Sequence, residues 1–250
     1  MMKSIELTAR RGKVALTDSK FGGKPYFTKN LEYPCNKKGI PLRLLAQFNF
    51  SKLPKLDNFP QKGILQFFIA EEDYGLDFDT PPEIQNNFRV IYHENVLSVD
   101  ETNQDIPEFV GEEFPFWGEF ALNAECKSCF MTECDFRFDK EFMKVYRKYI
   151  ITQAESIYDL DDEIVEEICK EFCTEGHRIG GYPYFTQTDP RGYEGGYGTH
   201  TITLFQMGSD MSNHENEIMW GDCGVANFFI SPKDLEKLDF SDVLYNWDCC

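Results

Sequence analysis

No stretch of this chain approaches the ~20 consecutive apolar residues of a membrane-spanning helix, and the opening MMKSIELTARRGKVALTDSK lacks the apolar run of a secretion signal. The expectation is a cytoplasmic protein with no membrane partner. Basic residues are also scarce, 25 Lys and Arg against 43 Asp and Glu, so the formal charge of −18 repels phosphate backbones and excludes nucleic acid as a partner. Four histidines, at 93, 177, 200 and 214, leave little material for imidazole chemistry. The familiar catalytic signatures are missing too: no G-x-S-x-G elbow, no phosphate-binding G-x-x-x-x-G-K-[ST], no H-E-x-x-H and no G-x-G-x-x-G. No cofactor is indicated, and the chain leans away from being an enzyme.

Cysteine is present but arranged unhelpfully for metal. Nine cysteines without a secretion signal read as reduced thiols. Cys126-Lys-Ser-Cys129, followed by Cys134, has the spacing of a zinc knuckle. Its complement, Cys169 and Cys173, falls on an amphipathic stripe with Ile164, Val165, Ile168 and Phe172, where a thiol serves as a small core hydrophobe. No metal site is assigned. Acidic stretches at 71–88 and 100–115 lack the ligand spacing and central glycine of a calcium-binding loop and read as solvated loops.

Aromatic residues, by contrast, are abundant: 15% of the chain, 23 of them Phe, enough to fill a sizeable core. The most informative pattern is a repeat. FGGKPYFT at 21–28 returns as IGGYPYFT at 179–186, with six of eight positions identical. Further along, Leu45 and Gln47 align with Leu204 and Gln206, and Gly63, Phe67, Phe68 and Ile69 align with Gly224, Phe228, Phe229 and Ile230. The offset drifts only from 158 to 159 to 161, so order and spacing are both kept. Two copies are too few for a solenoid, and a pseudo-twofold pair sharing one core is the simpler reading.

Short β-branched and aromatic runs at 64–70, 89–96, 200–207 and 224–230 predict core strands, joined by 43–50 and 120–128, with SIELTA and KVALTD near the start as edge strands. Helices are expected over 138–150 and 161–175, the second ending on Gly176, and a short one should start at Ser231-Pro232-Lys233-Asp234 with serine as cap. The expected fold is therefore α+β and β-rich, an internally duplicated, mostly antiparallel sheet core with a pseudo-twofold repeat and a few helices. It forms one domain over 1–250, with copy one at about 20–80, a helical insert at about 138–176 and copy two at about 177–250.

If a ligand site exists, duplication places it where the two Gly-Gly-x-Pro-Tyr turns would meet. Gly180 and Gly181, with Gly22 and Gly23, permit close backbone approach, and Tyr184, with Tyr26, offers a stacking face. Gln47 and Gln206 supply amides, while His177, Arg191, Trp220 and Asp222 break the symmetry. The structural counter-reading is that the turns set strand geometry and the glutamines satisfy backbone groups. The glycine-rich GYEGGYGTH at 192–200 reads as a hairpin connection, with only Arg191 nearby to meet a phosphate.

His177-Arg-Ile-Gly-Gly-Tyr-Pro, the Phe21-Gly-Gly-Lys-Pro copy, Pro41-Leu-Arg-Leu-Leu-Ala-Gln47, Gly63-Ile-Leu-Gln-Phe-Phe and Trp220-Gly-Asp-Cys-Gly, followed by FFISPKDL, together resemble the YwqG-like family of bacterial proteins from about residue 20 to 250. The resemblance implies a β-rich unit of unknown function, without established catalytic residues, and an immunity-type role beside a toxin. The first copy departs from it, having Phe59-Pro-Gln-Lys62 where the second has the Trp-Gly-Asp lead-in. Two classes of function follow: a non-catalytic binding protein for a basic protein partner steered in by the acidic charge, and a small-molecule-binding enzyme or regulator with its site at the repeat interface.

Overall fold

The computed structural model describes every residue except 99–101, 103–105, 110–112, 172–173, 194–195 and 212–217. His214, Phe172, Cys173 and parts of the expected 100–115 and 192–200 loops lie outside the described residues. Among the described residues ten strands form one antiparallel sheet: β1 (Met2–Arg11), β2 (Lys20–Gly22), β3 (Arg43–Asn49), β4 (Ile64–Ile69), β5 (Phe88–His93), β6 (Glu119–Cys129), β7 (His177–Gly180), β8 (Ile202–Gly208), β9 (Val225–Ile230) and β10 (Val243–Asp248). Their order across the sheet is β10-β9-β8-β7-β1-β6-β2-β3-β4-β5.

The sheet curls until its two edges nearly meet. Tyr245 of β10 sits 5.2 Å, ring to ring, from Phe88 of β5; its amide donates to Pro82 O at 3.2 Å, and Gln85 Nε2 donates to Phe240 O at 2.6 Å. No ladder joins β5 to β10 among the described pairings, so the result is a nearly closed, barrel-like sheet. Strand alternation decides which rings fill it. In the repeated Phe-Phe-Ile runs, Phe67 and Phe228 point inward and lie 4.8 Å apart, with Phe205 packed against both Phe48 and Phe67. Their neighbours Phe68 and Phe229 point outward, into separate clusters with Phe27, Leu42 and Leu44 and with Phe185 and Leu244. Burial on both faces explains why β4 and β9 read as apolar runs interrupted only by Gln66 and Asn227.

The centre of the sheet differs from expectation. SIELTA belongs to β1, which lies between β7 and β6 and not at an edge. Ile5, Leu7 and Ala9 are buried on one side of it while Glu6 and Thr8 stay wet on the other. That half-polar pattern looks like an edge strand by composition, but length decides its place, because β1 and β6 pair over ten residues, from Met2–Cys129 to Arg11–Phe120. KVALTD forms no strand; Leu16, Thr17 and Asp18 instead offer backbone carbonyls to side chains of β3. β10 was not anticipated, and β2 and β7 occupy residues read as parts of turns.

The helices lie where the pattern put them. α1 (Phe138–Tyr149) carries Asp139 and Glu141 in its first turn and Arg147 and Lys148 in its last, matching the helix dipole. It packs Phe138 and Met143 against Ile157 and against Ile168 of α2 (Asp162–Glu171), a small core separate from the barrel. Gly176 does not cap α2; it leads into β7, where its carbonyl accepts from Gly208 N. α3 (Pro232–Glu236) starts as expected, with Ser231 Oγ accepting from Asp234 N at 3.2 Å.

Candidate functional site

Gln47 and Gln206 hold the same position in two similar settings. Gln47 Oε1 accepts from Tyr26 N at 2.8 Å, and its amide donates to Leu16 O and Asp18 O at 2.9 and 2.8 Å. Gln206 Oε1 accepts from Tyr184 N at 2.8 Å, and its Nε2 donates to Thr174 O and Gly176 O at 2.8 and 2.9 Å. The adjacent strand completes each clamp: Gln66 Nε2 donates to Tyr26 O, and Asn227 Nδ2 to Tyr184 O. Each glutamine therefore ties the segment before a Gly-Gly turn to the segment after it. All four amides are fully buried. Their hydrogen bonds serve backbone groups that would otherwise be orphaned in the core, which is a structural task. Gln66 and Asn227 were legible only as polar interruptions of two apolar runs.

The paired turns do not meet. Gly22 lies opposite Glu119, beyond the Arg11 end of β1, whereas Gly180 lies opposite Ser4. That separation is about eight residues of strand, roughly 26 Å. Gly22 and Gly23 press against Phe116, Gly118 and Glu119; Gly180 and Gly181, both at positive φ, press against Leu56, Phe59, Ser4 and Cys129. The two turns share no groove and lie toward separate ends of the barrel-like sheet.

Gly180 and Gly181 line a cavity of about 300 Å³ with Met2, Lys3, Leu56 and Phe59, and a second of about 500 Å³ adjoins it through Asn58, Phe59 and Ile202 toward α3. Trp220 lies at the far end of β8, its amide bound to Ser209 Oγ and its ring packed on Tyr74 and Trp247. It is fully buried with Nε1 unpartnered. Asp222 is exposed in the turn that follows and reaches neither cavity. His177 is buried 5.1 Å from the Phe21 ring, with both ring nitrogens unbonded and Asp210 Oδ2 at 3.8 Å.

Arg191 meets neither cavity nor phosphate loop. It is fully buried over Phe229, with Nε and Nη2 on Asp189 at 2.9 and 2.7 Å and Nη2 on Asp135 at 3.2 Å. Arg137 adds a two-pronged contact to Asp135 at 2.7 and 2.6 Å. Two acids and two guanidinium groups close on themselves and pin 132–137 to 189–191.

The buried imidazole of the first half is His93. Its Nε2 bonds Gln66 Oε1 at 2.8 Å beneath Tyr26, and burial lowers its pKa from 6.5 to about 4. The folded protein therefore takes up this proton only near pH 4, while the unfolded chain takes it up near 6.5. Stability is full above pH 6.5 and declines as the pH falls toward 4, by up to about 3 kcal/mol. Urea midpoints measured between pH 7 and 4.5 should show this decline, and His93→Gln should flatten it; an equally steep decline in the variant would assign the effect elsewhere.

The Cys126–Cys129 pair sits on β6, where residues three apart face opposite sides; Cys126 is exposed and Cys129 buried. Cys134 donates to Phe185 O at 3.7 Å, and burial pushes its thiol up to about 11. No cluster of three or more His, Cys, Asp or Glu able to hold a metal occurs among the described residues, and no described helix is long and apolar enough to cross a membrane.

The model of one protein family, described as Domain of unknown function (DUF1963), matches residues 19–249. The match spans nearly all of the chain, which therefore belongs to that family. No curated protein matches it.

Proposed function

We propose that this member of the DUF1963 family is a non-catalytic binding protein, and that the paired cavities beside Gly180 and Gly181 receive an apolar side chain from a basic segment of a partner protein. One observation carries the reading: the linings combine Leu56, Phe59, Ile202 and Leu235 with exposed acids Asp57 and Glu236, while Lys3, the one Lys or Arg among their described residues, already donates to Ser128 Oγ. The other sequence candidates support binding over catalysis, since Gln47, Gln206 and Arg191 spend their polar atoms inside the fold. A charge of −18 steers basic partners toward such a rim, and a basic toxin is one chemistry that fits.

The test is fluorescence anisotropy with a labelled Lys/Arg-rich peptide carrying a central Leu. At low salt a Kd of about 1–100 μM is expected, weakened about tenfold or more by Asp57→Lys with Glu236→Lys. An unchanged Kd in the double variant, or no binding by the wild type, sinks the proposal. Co-purification of a small metabolite in place of any peptide binding supports the small-molecule reading, for which the cavity volumes are adequate.

The architecture also favours two related halves, β1–β5 and β6–β10, that have exchanged their long first strands, since β1 pairs with β7 and β6 with β2. Register shifts at Leu44/Ala46 and Thr203/Phe205, opposite the two Phe-Phe pairs, support that reading. It is the finer resemblance, to YwqG-like proteins, that the repeated blocks carry. Equal destabilisation by Gln47→Leu and Gln206→Leu is the expected sign of equivalent halves.

A further inference from the structure

We propose that Cys129 is a peroxide-reactive thiol, oxidised by hydrogen peroxide to a sulfenic acid that Ser4 and Arg178 hold in place. Cys129 ends β6 and is 4% exposed. Its sulfur accepts from the Tyr182 amide at 3.3 Å and from Arg178 Nη1 at 3.5 Å, and donates to Phe130 O at 3.6 Å. Arg178 is 4% exposed, and its second terminal nitrogen donates to Glu175 O at 2.7 Å. A buried guanidinium usually meets a carboxylate. This one makes no carboxylate ion pair among the described residues: Glu6, its partner across the β1–β7 ladder, bonds Lys127 instead. The group it touches is the sulfur.

Two donors around that sulfur are vacant. Arg178 Nε is buried without a partner, and so is Ser4 Oγ, on a residue with no exposure at all. Ser4 Cβ and Cys129 Sγ both lie within 3.0 Å of the point where a side chain on Gly181 would start, which sets them on the same side of that glycine. An unmodified thiol leaves both donors unsatisfied, at a cost to the fold. An oxygen on the sulfur would accept from them.

The reaction balances without any further reactant. Sulfur attacks one peroxide oxygen; the S–O bond forms as the O–O bond breaks, and the departing hydroxide takes the thiol proton and leaves as water. Sulfur loses the two electrons that peroxide gains. The enclosed position suits a small oxidant and hinders a second, bulkier thiol, and Cys126 on the opposite face of β6 cannot serve as a disulfide partner. Cys134 is the internal control, a half-buried thiol with carbonyl and carboxylate neighbours.

The experiment exposes the full-length native protein to a low excess of hydrogen peroxide, quenches with catalase, and unfolds it in dimedone with an alkylating agent. Occupancy at each cysteine is then read by peptide mass spectrometry. Dimedone should mark Cys129 about tenfold faster than exposed Cys126 or Cys223, and Cys134 hardly at all. Ser4→Ala, a small change suited to a buried serine, and Arg178→Lys should each slow labelling at Cys129 several-fold. The proposal is overturned if Cys129 remains a thiol while the exposed cysteines oxidise, or if folded Ser4→Ala and Arg178→Lys react at the wild-type rate.

Discussion

Gln206→Leu is expected to lower the free energy of unfolding by about 3–5 kcal/mol, enough to leave a marginal fold largely unfolded at physiological temperature. Leucine fills a similar volume, so the effect is not a cavity. It comes from backbone groups that lose a partner: Tyr184 N and Thr174 O lose their bond to Gln206, and Gly176 O keeps only the Gly208 amide. Gln47→Leu orphans Tyr26 N, Leu16 O and Asp18 O in the same way, and also removes the acceptor of one Gln66 bond. The two variants should therefore agree within about 1 kcal/mol, with Gln47→Leu at the larger end. Urea denaturation with matched m-values is the measurement. A cost below about 1 kcal/mol for either would mean that the turn finds other partners, and a wide disparity would argue against equivalent halves.

The same residues show how far sequence could reach. The alignment of Gln47 with Gln206 was visible because local blocks kept their spacing, and a buried amide in an aromatic strand has few tasks open to it. β3, β4, β8 and β9, the helix starts and the Ser231 cap were likewise written in patterns a few residues long. What local pattern could not convey was pairing. β1 looks like an edge strand when its wet Glu6 and Thr8 are weighed alone, yet its neighbours are β6 and β7, more than a hundred residues away. The same ignorance misplaced the Gly-Gly turns. Similar peptides invited the idea of a shared groove, but pairing of β2 with β6 and of β7 with β1 sets Gly22 opposite Glu119 and Gly180 opposite Ser4, far apart along the long strands.

Site chemistry was least legible where partners come from distant segments. Arg191 could be noticed beside a glycine-rich loop, but Asp135 and Arg137, some 55 residues earlier, could not be assigned to it. Trp220 and Asp222 share a motif and part company in space, because the turn buries one side chain and exposes the next. Ser4, Cys129 and Arg178 come from three strands and had no common signal. The Cys-x-x-Cys spacing matches a zinc knuckle, and alternation along β6 separates its thiols.

Arg191→Met should cost about 3–5 kcal/mol, because it removes the cation between two buried carboxylates. Asp189 keeps only the amides of Phe136 and residue 191 as donors, and Asp135 keeps Arg137. The pH dependence of the loss follows from Asp135. Burial raises its pKa, but the Arg137 hydrogen bond and the Arg191 charge outweigh burial and leave the pKa lowered. A depressed carboxylate stabilises the fold above its unfolded pKa of about 3.9, and that stability is lost as pH falls through the folded value. Without Arg191 the folded pKa rises, so the variant should be most impaired at neutral pH and lose less on acidification, its curve approaching the wild type near pH 3. Adding Asp189→Asn removes the carboxylate left unpaired and should recover part of the neutral-pH loss. Urea midpoints from pH 7 to 3 test both statements: a constant gap between Arg191→Met and wild type across that range, or a double variant weaker than the single, would show that Arg191 acts through its packing on Phe229 and not through its charge.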